Sequence, residues 1–174
     1  MPAGPTRPMK DRVRETLFDL LGTSVRGAAA IDLFAGTGSL GFEAVSRGAA
    51  RAVLAERHFP TADALRRSAR ALGIEAQVEV RPGDVLLWAR RLPPLPADMP
   101  WIVFVSPPWS FFAERREELL GLVTALMAAA PAGSTTVIES DESFDRAFLP
   151  GDPAAWETRA SPPAVLHMHV KPGP

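Results

Sequence analysis

Apolar residues recur along this chain in two alternating rhythms. Between residues 11 and 21 they fall at Val13, Leu17, Phe18, Leu20 and Leu21. That spacing predicts one buried helix face, with Asp11 as N-cap and Gly22 as stop. Residues 28–34 are almost continuously apolar and predict a buried strand, and residues 39–47 predict a helix closed by Gly48. The rhythm then repeats. Residues 51–56 read as a strand, 59–72 as a helix ended by Gly73, and 76–81 as a strand with alternating Val78 and Val80. A short helix is expected over 84–91. The stretch Leu92-Pro93-Pro94-Leu95-Pro96 excludes both helix and central strand. A fourth strand is expected over 101–105, a helix over 114–130, a fifth strand over 135–139, a short helix over 144–149, and two last strands over 156–160 and 165–170.

Strands alternating with helices predict an α/β fold with a mostly parallel sheet and helices on both faces. No internal repeat, low-complexity block or second-domain boundary interrupts the pattern. Residues 1–27 read as an N-terminal arm and helix, and 28–174 as one globular domain. A length of 174 residues suits a single domain. A hydrophobic fraction of 47% with 22% charged residues argues against disordered and fibrous classes.

The chain has no cysteine, which excludes disulfides, thiolate zinc sites and cysteine nucleophiles. No apolar run approaches the roughly 18–20 residues of a membrane span. Met1-Pro2-Ala3-Gly4-Pro5 lacks the basic-then-apolar order of a signal peptide. A cytoplasmic monomer without membrane contact is expected. The formal net charge is −1, so any nucleic-acid contact would have to use a local basic patch. Lysine occurs only at Lys10 and Lys171, and the other basic residues are arginines. Arginine suits bidentate phosphate contacts, although codon bias, which the many Ala and Pro residues also suggest, is the plainer account of its use.

The strongest local signal is Asp32-Leu33-Phe34-Ala35-Gly36-Thr37-Gly38-Ser39-Leu40-Gly41, set where a strand hands over to a helix. Glycines there permit positive φ and a close ligand approach, and the helix start offers unpaired N–H groups. Gly36, Gly38 and Gly41 match the dinucleotide spacing, and Glu56 follows Gly36 by 20 residues, so NAD has to be weighed. Two features favour S-adenosylmethionine. Asp32 can reach a methionine end, whereas it would repel a pyrophosphate. The Ser106-Pro107-Pro108-Trp109 segment, moreover, is one a dehydrogenase does not need. Phe34, Ala35, Gly36, Thr37 and Gly38 form the expected cofactor loop. Glu56, followed by Arg57, is placed for the ribose hydroxyls; a solvated strand end is the plainer alternative. Asp84 with Val85 is placed for the adenine edge, or Asp84 caps the helix that follows.

Ser106-Pro107-Pro108-Trp109 ends an apolar strand. Two prolines remove two N–H donors and leave carbonyls as acceptors. An exocyclic base amine is a poor nucleophile because its lone pair is delocalised. Accepting its two hydrogens at the Ser106 side chain and the Pro107 carbonyl favours a pyramidal nitrogen aimed at a methyl donor. Trp109 can stack on an extruded base. The competing reading is a proline-rich turn with a core tryptophan. Arg7, Lys10, Arg12 and Arg14 concentrate charge before the core and are candidate substrate contacts, or else the solvated face of an amphipathic helix. His58, His167 and His169 lack a third ligand partner, so no metal site is expected.

Together, Arg7-Pro8-x-x-Asp11-Arg12-Val13-Arg14-Glu15-x-Leu17-Phe18 and the Asp32–Gly41 loop continued by Glu43-Ala44 resemble the bacterial 16S rRNA guanine-N2 methyltransferase family (RsmD-like). The order glycine loop, Glu56, Gly83-Asp84, Pro-Pro also matches, over about residues 7–140. The resemblance implies a Rossmann-like class I methyltransferase with seven strands, S-adenosylmethionine as donor, and a guanine of small-subunit rRNA as acceptor. It implies cofactor contacts at Asp32, Gly36, Gly38, Glu56 and Asp84, and base contacts at Ser106, Pro107, Pro108 and Trp109. Two departures are visible. Ser106 stands where the family has Asp or Asn, and six residues precede Arg7 where the family has a basic, β-rich stretch. They keep two alternatives open: a methyltransferase of a small molecule or protein, and a non-catalytic cofactor-binding relative.

Overall fold

The computed structural model describes residues 7–174, with side chains from Lys10 onward. Its elements are α1 (Arg7–Leu21), β1 (Ala29–Asp32), α2 (Ser39–Ser46), β2 (Arg51–Glu56), α3 (Phe59–Ala71), β3 (Val78–Pro82), β4 (Trp101–Val105), α4 (Phe111–Glu114), α5 (Arg116–Ala129), β5 (Thr135–Ser140), β6 (Glu157–Ser161) and β7 (Ala164–Val170). The strands form one seven-stranded sheet in the order β3-β2-β1-β4-β5-β7-β6. Strands β3, β2, β1, β4 and β5 pair in parallel, and β7 runs antiparallel to both β5 and β6. This is the mostly parallel, seven-stranded α/β sheet that the resemblance implies.

The sheet is covered on both faces, which is why its central strands read as unbroken apolar runs. Alternate residues divide between two cores. Ala30, Leu54, Ile102 and Phe104 pack under Val13, Leu17 and Phe18 of α1, Ala44 of α2 and Leu65 of α3. Ile31, Val103, Val105 and Ile138 pack under Leu119, Leu122, Val123 and Leu126 of α5 and under Trp156. A side chain leaving either end of β1 or β4 is therefore committed to one face by parity.

Several boundaries differ from the expected ones. Helix α1 begins at Arg7, four residues before Asp11. Proline is compatible with a first helical turn, so Pro8 does not delay the helix. Asp11 is not a cap; it pairs with Arg14 at 3.2 Å. The helix expected over 114–130 is two helices, because the ladder breaks at Arg115 (φ −134°, ψ 29°). The short α4 starts straight from the proline loop, where Phe111 N–H donates to the Pro108 carbonyl at 2.9 Å. The segments after β3 and β5 form short 3-10 turns, Val85–Ala89 and Arg146–Phe148, in place of α-helices.

Candidate functional site

In an open parallel sheet a crevice forms where successive connections leave in opposite directions, at the carboxyl ends of the strands. Here that point lies between β1, which connects outward to β2, and β4, which connects outward to β5. The glycine loop leaves β1 and the proline loop leaves β4. They face each other because Asp32 is in register with Phe104, two residues before Ser106.

Two adjoining chambers open there. The first, of ≈ 540 Å³, is lined by the glycine loop from Ala35 to Thr37, by Asp32 beneath it, by Lys10 and Arg14 of α1, and by Ser106–Trp109 and Glu139. The second, of ≈ 490 Å³, is lined by Glu56, Arg57, Asp84, Val85 and Phe111. Phe34, Gly36, Ser106, Pro107 and Pro108 belong to both. A single elongated ligand can thus lie across the loop with its ends in different surroundings.

Asp32 is 1% exposed. Burial pushes its carboxyl up from 3.8 to about 7, Glu56 and Glu139 push it the same way, and the backbone N–H groups of Phe34 and Gly41 offset part of the rise. Among the described residues no cation pairs with this buried carboxyl, which is poised to gain one. Glu56 is held by backbone: Gly36 N–H donates to Oε2 at 2.9 Å and His58 N–H to Oε1 at 2.8 Å. Asp84 accepts from Leu86 N–H at 3.0 Å as a cap and lies 3.5 Å from Arg115. The capping role is therefore present, and the carboxylate still borders the second chamber.

Of the three loop glycines, Gly36 borders both chambers, and a Cβ added there would meet open space. Gly38 borders neither. A Cβ on Gly38 would lie 2.5 Å from Phe42, and one on Gly41 would lie 2.2 Å from Leu54. Gly41 lets helix α2 approach β2 at Leu54, Gly38 makes room for Phe42 and for Leu65 of α3, and of the three only Gly36 leaves its surface open to the chambers.

Lys10 and Arg14 reach the first chamber. Arg12 is exposed and borders neither chamber, being on another face of α1. The side chain of Arg7 lies outside the described residues. Trp109 is partly buried and packs against both cores while lining the first chamber. His167 is buried and hydrogen-bonded to Ser140 (3.0 Å) and Thr158 (2.9 Å). Burial pushes it down to about 4, which marks it as a neutral part of the framework.

Glu139 is the residue that the sequence reading missed. It is the penultimate residue of β5, beside Ser106, whose hydroxyl donates to Oε2 at 3.1 Å. Burial pushes its carboxyl above the usual range, against the opposing influence of Ser106 and Lys10. The one available signal was a lone Glu at the carboxyl end of a buried strand.

The donor set suits S-adenosylmethionine: a buried carboxyl with no cation paired to it among the described residues, a strand-end carboxylate, and an open glycine surface between them. Similarities to known proteins point the same way. A stretch of 103 residues is 36% identical to ribosomal RNA small subunit methyltransferase D of Buchnera aphidicola, covering 59% of this chain and 52% of the relative. The chain spans about half the length of the curated relatives it matches. Among solved structures, the protein described as "Putative methyltransferase yhhF" of Escherichia coli superposes with a TM-score of 0.75 at 27% identity, over 98% of this chain and 89% of that one. An RNA methyltransferase of Salinibacter ruber, in complex with S-adenosyl-L-homocysteine, shares the fold with a TM-score of 0.65 at 19% identity, over 99% and 95%. The sheet order and these neighbours make this a Rossmann-like class I methyltransferase fold. Residues 1–157 match the model of the family described as Conserved hypothetical protein 95, and the chain belongs to that family.

Proposed function

We propose that this protein is an S-adenosylmethionine-dependent methyltransferase acting on the exocyclic N2 amine of a guanine in small-subunit rRNA. The observation that carries the reading is the pair of chambers meeting at Gly36 and Ser106–Pro108, one suited to an adenosine and the other open to an acceptor. The names of the curated relatives support rRNA as the acceptor class.

The donor supplies an electrophilic methyl on a sulfonium. Asp32 holds the ammonium of its methionine end, Glu56 its ribose, and Asp84 with Val85 the adenine side. Ser106 Oγ and the Pro107 carbonyl accept the amine hydrogens, and Trp109 stacks on the base; such base–aromatic contacts are worth about 1–3 kcal/mol. Lys10 and Arg14 at the mouth draw in phosphate. The chain's part is positioning and electrostatics in a part-enclosed cleft.

The test is methyl transfer from labelled S-adenosylmethionine to small-subunit rRNA, naked and assembled, followed by digestion to nucleosides. N2-methylguanosine is the expected product. Labelled adenine or cytosine would overturn the guanine assignment, and absence of label on RNA with intact cofactor binding would overturn the RNA reading.

A further inference from the structure

Serine at position 106 raises a question of direction. A hydroxyl carries one proton and two lone pairs, and it can turn either way. To hold an amine hydrogen it must present a lone pair. In this structure its proton is already committed, because Ser106 Oγ donates to Glu139 Oε2 at 3.1 Å. Neighbouring Pro107 and Pro108 have no N–H to offer. The Ser106 lone pairs are thereby left for the chamber that Ser106 and Glu139 line together.

We propose that Ser106 and Glu139 form a relay in which Glu139 fixes the hydroxyl as an acceptor toward the substrate amine and takes up the proton that the amine loses. The inference rests on the function proposed above. The acceptor nitrogen gains the methyl as the carbon–sulfur bond of the sulfonium breaks, leaving a neutral thioether. The nitrogen's proton passes to Ser106 Oγ while the hydroxyl's own proton passes to Glu139 Oε2. One positive and one negative charge disappear together, a favourable exchange in a cleft of low dielectric. Solvent then receives the proton from Glu139.

The surroundings suit this task. Glu139 sits opposite Leu166 of β7, so the neighbouring strand offers no competing charge. Across the chamber stand Asp32 of β1 and Lys10 and Arg14 of α1. Burial holds the carboxyl above its ordinary range, where it accepts a proton more readily, while the Ser106 hydroxyl and Lys10 act in the opposite direction. Glu139 acts through Ser106 and is a positioning residue.

Three measurements test the relay. In Glu139→Gln, kcat at saturating donor should fall by about 100-fold, the scale of one proton-transfer partner, with acceptor KM and S-adenosylhomocysteine affinity unchanged. Glu139→Asp should recover part of the loss. The double variant Ser106→Ala/Glu139→Gln should be no slower than the slower single variant, as expected of residues acting as one unit. Multiplying losses, or an unchanged kcat in Glu139→Gln, would overturn the relay. Independently of turnover, carboxyl-carbon NMR should show Glu139 titrating at higher pH in Ser106→Ala than in the wild type, since the hydroxyl stabilises the carboxylate. No movement would overturn the relay whatever the reaction is. Movement in a protein that transfers no methyl to RNA would overturn the proposed function, and the relay with it.

Discussion

Gly36 N–H donates to Glu56 Oε2 at 2.9 Å, tying the first turn after β1 to the carboxyl end of β2. The same carboxylate accepts from His58 N–H through its other oxygen. Glu56 is therefore part of the loop's own framework, whatever else it holds. Its remaining lone pairs are held in a fixed direction by two backbone donors, so a ribose diol placed there would meet them without further ordering.

Replacing Glu56 by Ala should accordingly have two effects. S-adenosylhomocysteine affinity should fall about 10–100-fold, because hydrogen bonds to a charged group are worth about 1.5–3 kcal/mol. The melting temperature should also drop slightly as the Gly36 and His58 N–H groups lose their acceptor. Calorimetry and thermal unfolding check both; unchanged affinity would remove the ribose role.

Asp32 yields a prediction about stability. Its folded carboxyl titrates near 7 rather than 3.8 because burial disfavours the charge. Between those values the folded state holds a proton that the unfolded state has lost, so stability declines as pH rises from about 4 to 7 and then levels. At pH 8 the buried charge is carried at full cost. Asp32→Asn should therefore stabilise the ligand-free protein by about 2–4 kcal/mol at pH 8 and change it little at pH 4. Equal stability of the two proteins at pH 8 by denaturant unfolding would contradict the buried-charge account.

The same group links ligand binding to protons. An ammonium beside Asp32 favours its ionised form, so binding near pH 6 should release a proton. S-adenosylhomocysteine affinity should weaken as pH falls through 7. The calorimetric enthalpy at pH 6 should scale with the ionisation enthalpy of the buffer, and this dependence should vanish in Asp32→Asn. A buffer-independent enthalpy in the wild type would place the ammonium elsewhere.

How much of this was legible in sequence follows from what each feature depends on. Strands β2 and β4 have the expected limits because a strand buried on both faces is an apolar run, closed in β2 by Arg51 and Glu56 and bounded in β4 by Pro100 and Ser106. The start of α1 was misjudged because Asp11 stands where a cap would stand, while Pro8 hides a helix that begins before it. Asp84 was read as a cap or an adenine contact, and of the two the capping bond is visible. Glu139 escaped because its meaning depends on pairing. Only the β4–β5 register, Val105 beside Ile138, brings it next to Ser106 across 33 residues. Spacing likewise treats the three glycines alike, and packing separates them.

That separation gives the last prediction. Gly36 has φ +54° and open space at its Cβ position, whereas Gly38 has φ +81° and would press a Cβ within 2.5 Å of Phe42 and 2.7 Å of Leu65. Leu65 is buried at 2% exposure and has little room to yield. Gly38→Ala combines left-handed strain with overpacking and should cost about 2–4 kcal/mol of stability. Gly36→Ala bears only the strain, about 1–2 kcal/mol, but its methyl projects into the surface shared by the two chambers. It should therefore lose far more S-adenosylhomocysteine affinity per unit of stability lost than Gly38→Ala does. Unfolding midpoints and calorimetry on the two variants decide the matter. If both lose affinity only in proportion to stability, Gly36 has no special place in the ligand surface, and the loop glycines serve backbone conformation and packing alone.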